Sequence, residues 1–267
     1  QTRWFSSNER IAIAGVPLTV AGQDKATGDD YVRYLVGVAR QFDMNIETFR
    51  AVTAIRPVCD GFAVDIARST AGVGGTETSP IVANADSVPT ETVHTKRVIL
   101  TIGNMHAPRP IGVVGEDLPH VSHYLADPLR YVGRRVIIVG GKNSAVEAAI
   151  RLHRAGARVT IVYRRPSFDA DRIKYWLLPE LEWLIDKGRI GFEPASEVDR
   201  ITEDAVRISG ETGHRDIPAD FVLLLTGYVQ DGSLFDQLGL DRLGDERRPV
   251  YDHATMETSV PGVFVAG

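Results

Sequence analysis

The stretch that decides the fold reads Arg135-Val136-Ile137-Ile138-Val139-Gly140-Gly141-Lys142-Asn143-Ser144-Ala145, and it closes twenty residues later with Arg158-Val159-Thr160-Ile161-Val162-Tyr163-Arg164-Arg165. The run 135–139 is short, uninterrupted and β-branched, the pattern of a strand covered on both faces. Residues 144–155 repeat apolar side chains at helical spacing, and Gly156 stands where a C-terminal cap belongs. Residues 158–163 predict a second strand. Strand, glycine turn, helix and strand in about thirty residues make one βαβ unit of a parallel sheet.

The turn carries the chemistry. Gly140 suits a tight turn off the strand, and small Ala145 lets the helix approach the sheet. The helix N-terminus presents free N–H groups and partial positive charge to a pyrophosphate. Gly141, Lys142, Asn143 and Ser144 complete the candidate loop. Lys142 stands where the dinucleotide pattern has its second glycine; its side chain restricts backbone approach but brings an ammonium toward phosphate. Ser144 and Glu147 also fit a capping box, and the whole unit also fits a crossover with no ligand. After the second strand, nucleotide sites for NAD place a carboxylate on the ribose. Here Arg164 and Arg165 follow instead. Guanidiniums suit a 2′-phosphate, so the pair favours NADPH, the alternative being two solvated surface arginines. Thr101-Ile102-Gly103 and Leu225-Thr226-Gly227 each end an apolar strand with Thr and Gly, which marks Thr101, Gly103 and Gly227 as candidate cofactor contacts or plain turns.

Working outward, residues 29–42 predict a helix with Val32, Leu35, Val36, Val38 and Ala39 on one face. Residues 45–55 predict one or two short strands, 61–66 another, and 96–101 another. The Gly/Ser/Thr-rich stretch 69–92 reads as a surface loop. Residues 107–119 hold three prolines and two glycines and read as a linker. Residues 171–187 predict one long helix, with Tyr175 and Trp176 as packing residues. Strands follow near 190–192, 198–201, 206–208 and 221–225, and a second linker near 244–249. Alternating strands and helices predict α/β class. Two linkers predict one domain, 108–246, inserted between two pieces of another, 1–107 and 247–267.

Composition bounds the rest. The chain has 267 residues, 43% hydrophobic and 24% charged, which is ordinary for a folded protein. No apolar run reaches the about 18 residues of a membrane span. A net charge of −5 points away from a broadly basic nucleic-acid surface. One cysteine, Cys59, cannot build a disulfide framework or a CxxC pair, which fits a reducing compartment. His120 and His123 are the one close pair among seven histidines, with no third ligand nearby, so no metal is expected. The start at Gln1 and the end on Val263-Phe264-Val265-Ala266-Gly267 predict a piece of a longer protein.

The chain resembles the two-dinucleotide flavoprotein family that includes thioredoxin reductases, and within it the bacillithiol disulfide reductase branch. The resemblance rests on 139–149, on Arg154-Ala155-Gly156-Ala157-Arg158-Val159-Thr160, on Gly115-Glu116-Asp117-Leu118-Pro119-His120-Val121-Ser122-His123-Tyr124, and on Tyr175-Trp176-Leu177-Leu178-Pro179-Glu180. It covers nearly all of the chain and is most specific over 113–181. It implies a Rossmann-like NADPH-binding domain inserted in a discontinuous, here truncated, FAD-binding domain. It also implies hydride transfer from NADPH to flavin in the cytoplasm, with electrons then passed to a small-molecule or protein disulfide or another acceptor, and allows a homodimer. Gly267 looks like part of the last FAD motif, and Thr101 to Gly103 like a segment linking the domains. Two departures stand out. No upstream glycine-rich FAD loop is present, so the chain alone is expected to hold FAD poorly and to be inactive. The CxxC of thioredoxin reductases is replaced by His120-Val121-Ser122-His123, and Cys59 lies too early in the chain, with Arg56 at its partner position. Cys59 is read as a turn or core cysteine outside electron transfer. No residue stands out as catalytic acid, base or nucleophile. The same resemblance admits a ferredoxin/flavodoxin–NADP reductase, and the residues alone admit a nucleotide-binding redox module without turnover.

Overall fold

A computed structural model of the chain describes residues 7–22, 24–68, 91–211, 213–244 and 247–267. The loop expected at 69–92 lies outside them except for its last two residues.

Five parallel strands form the central sheet, in the order Val121–Ser122, Phe221–Leu224, Arg135–Val139, Arg158–Val162, Gly191–Glu193. The apolar run 135–139 is explained by two-sided burial. Val136 and Ile138 face the helix Asn143–Arg154, whose Ala145, Val146, Ala149 and Leu152 are sealed against them. Ile137 points the other way, into a core with Val206, Ile208 and Ile201. Those three belong to an antiparallel sheet, Glu197–Ile201, Ala205–Gly210 and Gly213–Pro218, laid over the second face.

A second body holds the antiparallel strands Arg50–Val58, Gly61–Arg68 and Glu91–Thr95, and the parallel pair Val98–Leu100 with Val263–Val265. Ile55, Phe62, Leu100, Val263 and Val265 share its core with Phe235, Leu238 and Leu240. The helix Gly28–Gln41 starts on a complete capping box from Thr27 and Asp30. Its expected apolar face is mostly open: Val38 is its one buried residue, whereas Val32, Leu35 and Val36 are exposed. The chain passes between the two bodies twice, and the crossings pair antiparallel as Ala107–Pro108 with Tyr228–Val229.

Several expectations need correction. No long helix spans 171–187. A 3-10 turn covers Ala170–Arg172, Ile173 is extended, and the helix begins only at Leu178, with Pro179 in its first turn. Tyr175 is exposed rather than packed, and Trp176 is half-buried. The strand expected within 45–55 begins at Arg50 and runs on to Val58. Strand Gly213–Pro218 was not anticipated, because four of its first residues in a row are exposed and no alternation marks it. The first linker is held in place: the Ile111 and Gly112 N–H groups donate to Glu116, at 2.9 and 2.8 Å, and Ile201 N–H donates to the Val114 carbonyl at 2.8 Å. The second contains a strand, Arg248–Pro249, paired with Arg242–Leu243.

Candidate functional site

At the C-terminal edge of the central sheet, Val139 runs straight into Gly140. Gly140 has φ +140°, and its N–H donates to the Val162 carbonyl at 3.1 Å. A Cβ there would strike the Leu225 carbonyl and stand 3.3 Å from Ala145 Cβ. The neighbouring strand end is therefore packed on the turn through Leu225, whose N–H donates to the Val139 carbonyl at 2.9 Å, while Thr226 and Gly227 beyond it bond Arg109 at the first crossing. Gly141 has no left-handed strain but no room either: a Cβ there would collide with the ring of Tyr163. The first helical hydrogen bond runs from Val146 N–H to the Lys142 carbonyl at 3.1 Å. Asn143, Ser144 and Ala145 thus precede any intrahelical bond, the arrangement that receives an anion.

The capping box at Ser144 and Glu147 does not form. Lys142 is the N-cap and its side chain makes no capping bond. Ser144 lies inside the first turn, past the position from which a hydroxyl caps. Asn143 looks outward to a neighbouring strap, accepting Lys174 N–H at 2.8 Å and donating to the Arg172 carbonyl at 3.3 Å.

Arg164 and Arg165 follow Tyr163 at the end of Arg158–Val162, and both are exposed. The backbone here is fixed by Tyr163 N–H to the Glu193 carbonyl at 3.0 Å and Ala195 N–H to the Arg165 carbonyl at 3.0 Å. Arg165 Nη1 lies 3.4 Å from Asp169 Oδ2. The structure thus gathers Gly140, Gly141, Lys142, Asn143, Ser144, Ala145, Arg164, Arg165 and Gly227 around one sheet edge. Tyr163, the wall behind Gly141, was missed by sequence reasoning; an aromatic placed immediately before the arginine pair was its signal.

Thr101, Gly103 and Gly267 collect elsewhere, at the ends of the paired strands Val98–Leu100 and Val263–Val265. Ala266 N–H donates to the Leu100 carbonyl at 3.1 Å, and the Gly103 carbonyl accepts from Gln230 Nε2 at 2.8 Å. Gln230 directly follows the second crossing, so this edge is tied to that crossing. Near the other crossing, His123 Nε2 lies 3.7 Å from Glu116 Oε1, and His120 gives its carbonyl to Val222 N–H at 3.0 Å. Among the described residues no three His, Cys, Asp or Glu side chains gather as metal ligands. Burial pushes the Tyr228 phenol up, helped by neighbouring Tyr124. Cys59 is exposed, on the turn joining Arg50–Val58 to Gly61–Arg68.

Residues 87–267 match the family described as pyridine nucleotide-disulphide oxidoreductase. The chain belongs to that family. Among curated relatives of this chain, bacilliredoxin reductase Bdr of Bacillus subtilis is 42% identical over 178 residues, covering 66% of this chain and 55% of the relative. A ferredoxin–NADP reductase of Ignicoccus hospitalis is 31% identical over 178 residues, covering 64% and 55%. The chain therefore spans about half the length of these relatives. A solved structure, bacillithiol disulfide reductase Bdr (YpdA) from Bacillus cereus, superposes with a TM-score of 0.86 at 29% identity, covering all of this chain and 76% of that one. The fold is that of the two-dinucleotide flavoproteins. Among the described residues no helix is long and apolar enough to cross a membrane.

Proposed function

We propose that this chain is part of a cytoplasmic flavoprotein that oxidises NADPH and reduces a disulfide. One observation carries the reading: the turn Gly140–Gly141, closed by Leu225 on one side and Tyr163 on the other, opens onto a helix N-terminus with two arginines beside it. A side chain at either glycine would collide with Leu225 or Tyr163, so the tight turn that presents the helix N-terminus needs both glycines, and the free N–H groups and nearby arginines fit a dinucleotide. The N–H groups at Asn143, Ser144 and Ala145 receive the pyrophosphate, and Lys142 adds positive charge next to it. Arg164 and Arg165 receive the 2′-phosphate with paired N–H donors. The edge with Thr101, Gly103 and Gly267 is the place for FAD. Bound NADPH and FAD supply the hydride and electron transfer, which side chains do not. With no thiol at 120–124, the acceptor meets the flavin directly or through a cysteine outside this chain.

The disulfide reading follows the Bdr likeness; the ferredoxin–NADP reductase relative supports a second, same-fold reading. Steady-state NADPH oxidation by the whole protein, with bacillithiol disulfide, bacilliredoxin, thioredoxin and ferredoxin offered in parallel, separates them. Turnover with a disulfide supports the first, turnover with ferredoxin alone the second. Flavin colour and nucleotide binding without turnover would leave a redox-sensing module. Assembly as a homodimer belongs to the same proposal and is read by sedimentation.

A further inference from the structure

A third arginine stands beside the pair. Arg172 is seven residues beyond Arg165, yet the strap between them folds back. Phe168 stacks on Tyr163 at 5.6 Å and 13°, and on Phe192 at 4.6 Å and 22°, which pins the loop to the sheet edge. At its far end, Asn143 bonds the backbone of both Arg172 and Lys174. Arg172 is thereby anchored to the first residue of the helix whose N-terminus faces the pyrophosphate. Between the two anchors sits Asp169. Its Oδ2 lies 3.4 Å from Arg165 Nη1 and 3.3 Å from Arg172 Nε, one oxygen shared by two cations. Its Oδ1 accepts Asp171 N–H at 3.2 Å, opening the 3-10 turn that carries Arg172.

We propose that Arg172 is a further guanidinium of the 2′-phosphate seat, and that Asp169 is the seat's internal counter-ion, displaced when the phosphate arrives. The inference rests on the NADPH reading above. The charges favour the exchange. Without a ligand, two guanidiniums this close repel, and the shared carboxylate offsets that cost. A 2′-phosphate brings about −1.5 to −2 charge and three acceptor oxygens against the single charge of Asp169. Arg172 uses only Nε toward Asp169, which leaves its terminal nitrogens for a second acceptor. All three side chains reach solvent, at 47% exposure for Arg165, 54% for Arg172 and 30% for Asp169, so a ligand meets them without rearranging the core.

The test is calorimetric titration of the 267-residue chain with two probes, 2′,5′-ADP and 5′-AMP, which differ only in the 2′-phosphate. Arg172→Ala is expected to weaken 2′,5′-ADP about tenfold and to leave 5′-AMP within about twofold, with Arg172→Lys between. Asp169→Asn keeps the oxygen that caps the turn and removes the competing charge, so 2′,5′-ADP should bind several-fold more tightly. A wild-type preference for 2′,5′-ADP that survives Arg172→Ala would overturn the inference alone, and so would equal losses for both probes or weaker 2′,5′-ADP binding in Asp169→Asn. Wild-type indifference to the 2′-phosphate would overturn the NADPH reading and this inference with it.

Discussion

Gly141 has its backbone pressed against the ring of Tyr163, so that an added methyl would overlap the ring carbons. Tyr163 cannot step aside: it is 8% exposed and stacked on Phe168. Gly141→Ala should therefore cost about 1–3 kcal/mol through overpacking and displace the strap that carries the arginines. Nucleotide affinity should fall at least as much as stability, read by thermal melting beside calorimetric titration with NADPH. Unchanged affinity in a folded Gly141→Ala variant would show that the turn does not contact the ligand.

Arg164→Ala combined with Arg165→Ala should weaken NADPH binding by roughly 2–4 kcal/mol, counting about 1.5–3 kcal/mol per charged hydrogen-bonding site with incomplete additivity. NADH affinity should hardly change. Equal losses for the two nucleotides would refute a 2′-phosphate role. Arg164 is expected to carry the larger share, since Arg165 is already engaged by Asp169.

What could be read in advance follows from where burial is two-sided. The run 135–139 and the helix after it were legible because both faces of the strand and one full face of the helix are sealed. Residues 171–187 misled because Ile173, Leu177, Leu181 and Leu184 keep helical spacing, while the bonds from Asn143 to 172 and 174 hold the first part as a strap. A side chain thirty residues upstream leaves no local trace. Asp169 was hidden for a different reason: its partners, Arg165 and Arg172, are close in the chain, but an irregular strap pinned by the stack of Phe168 on Tyr163 brings them onto it, and no regular period marks that geometry. Gly213–Pro218 was invisible for the opposite reason, since it buries too little to impose a period.

Asp220 gives a stability prediction tied to acid. Hydrogen bonds from the Arg135 side chain at 2.6 Å and its backbone N–H at 2.8 Å hold this carboxyl at about 2. A depressed folded-state value stabilises above the unfolded value of about 4, and the contribution disappears as pH falls through about 2. Asp220→Asn should melt below wild type at pH 7, with the difference shrinking across pH 4 to 2. A gap that stays constant over that window would assign the effect to lost packing instead.

Phe235 bears on where the inserted domain ends. It is 2% exposed and packs with Ile55, Leu100 and Val263 of the second body, eleven residues before the expected boundary at 246. We propose that the inserted domain runs only to the second crossing, Tyr228–Val229. Phe235→Ala should cost about 3–5 kcal/mol in the second body and leave 5′-AMP affinity at the glycine turn within about twofold. Parallel loss of both would place residues 230–246 with the nucleotide domain.

Cys59 is the chain's one thiol, and it lies on an exposed two-residue turn where Val58 pairs with Gly61. Electron relay through cysteine needs a thiolate and a resolving partner within reach. Arg56, at the position a partner would take, is committed to Asp65 by a bidentate ion pair. Because the thiol is exposed, Cys59→Ser should change stability by no more than about 0.5 kcal/mol. In the whole protein, NADPH-to-acceptor turnover should stay within a few-fold of wild type. The measurement is NADPH oxidation by both proteins with thioredoxin, a low-molecular-weight disulfide and a quinone as acceptors, beside stopped-flow flavin reduction. Selective loss of disulfide reduction, with flavin reduction intact, would make Cys59 a redox residue and require the acceptor, or a cysteine outside this chain, to supply the second sulfur at that turn.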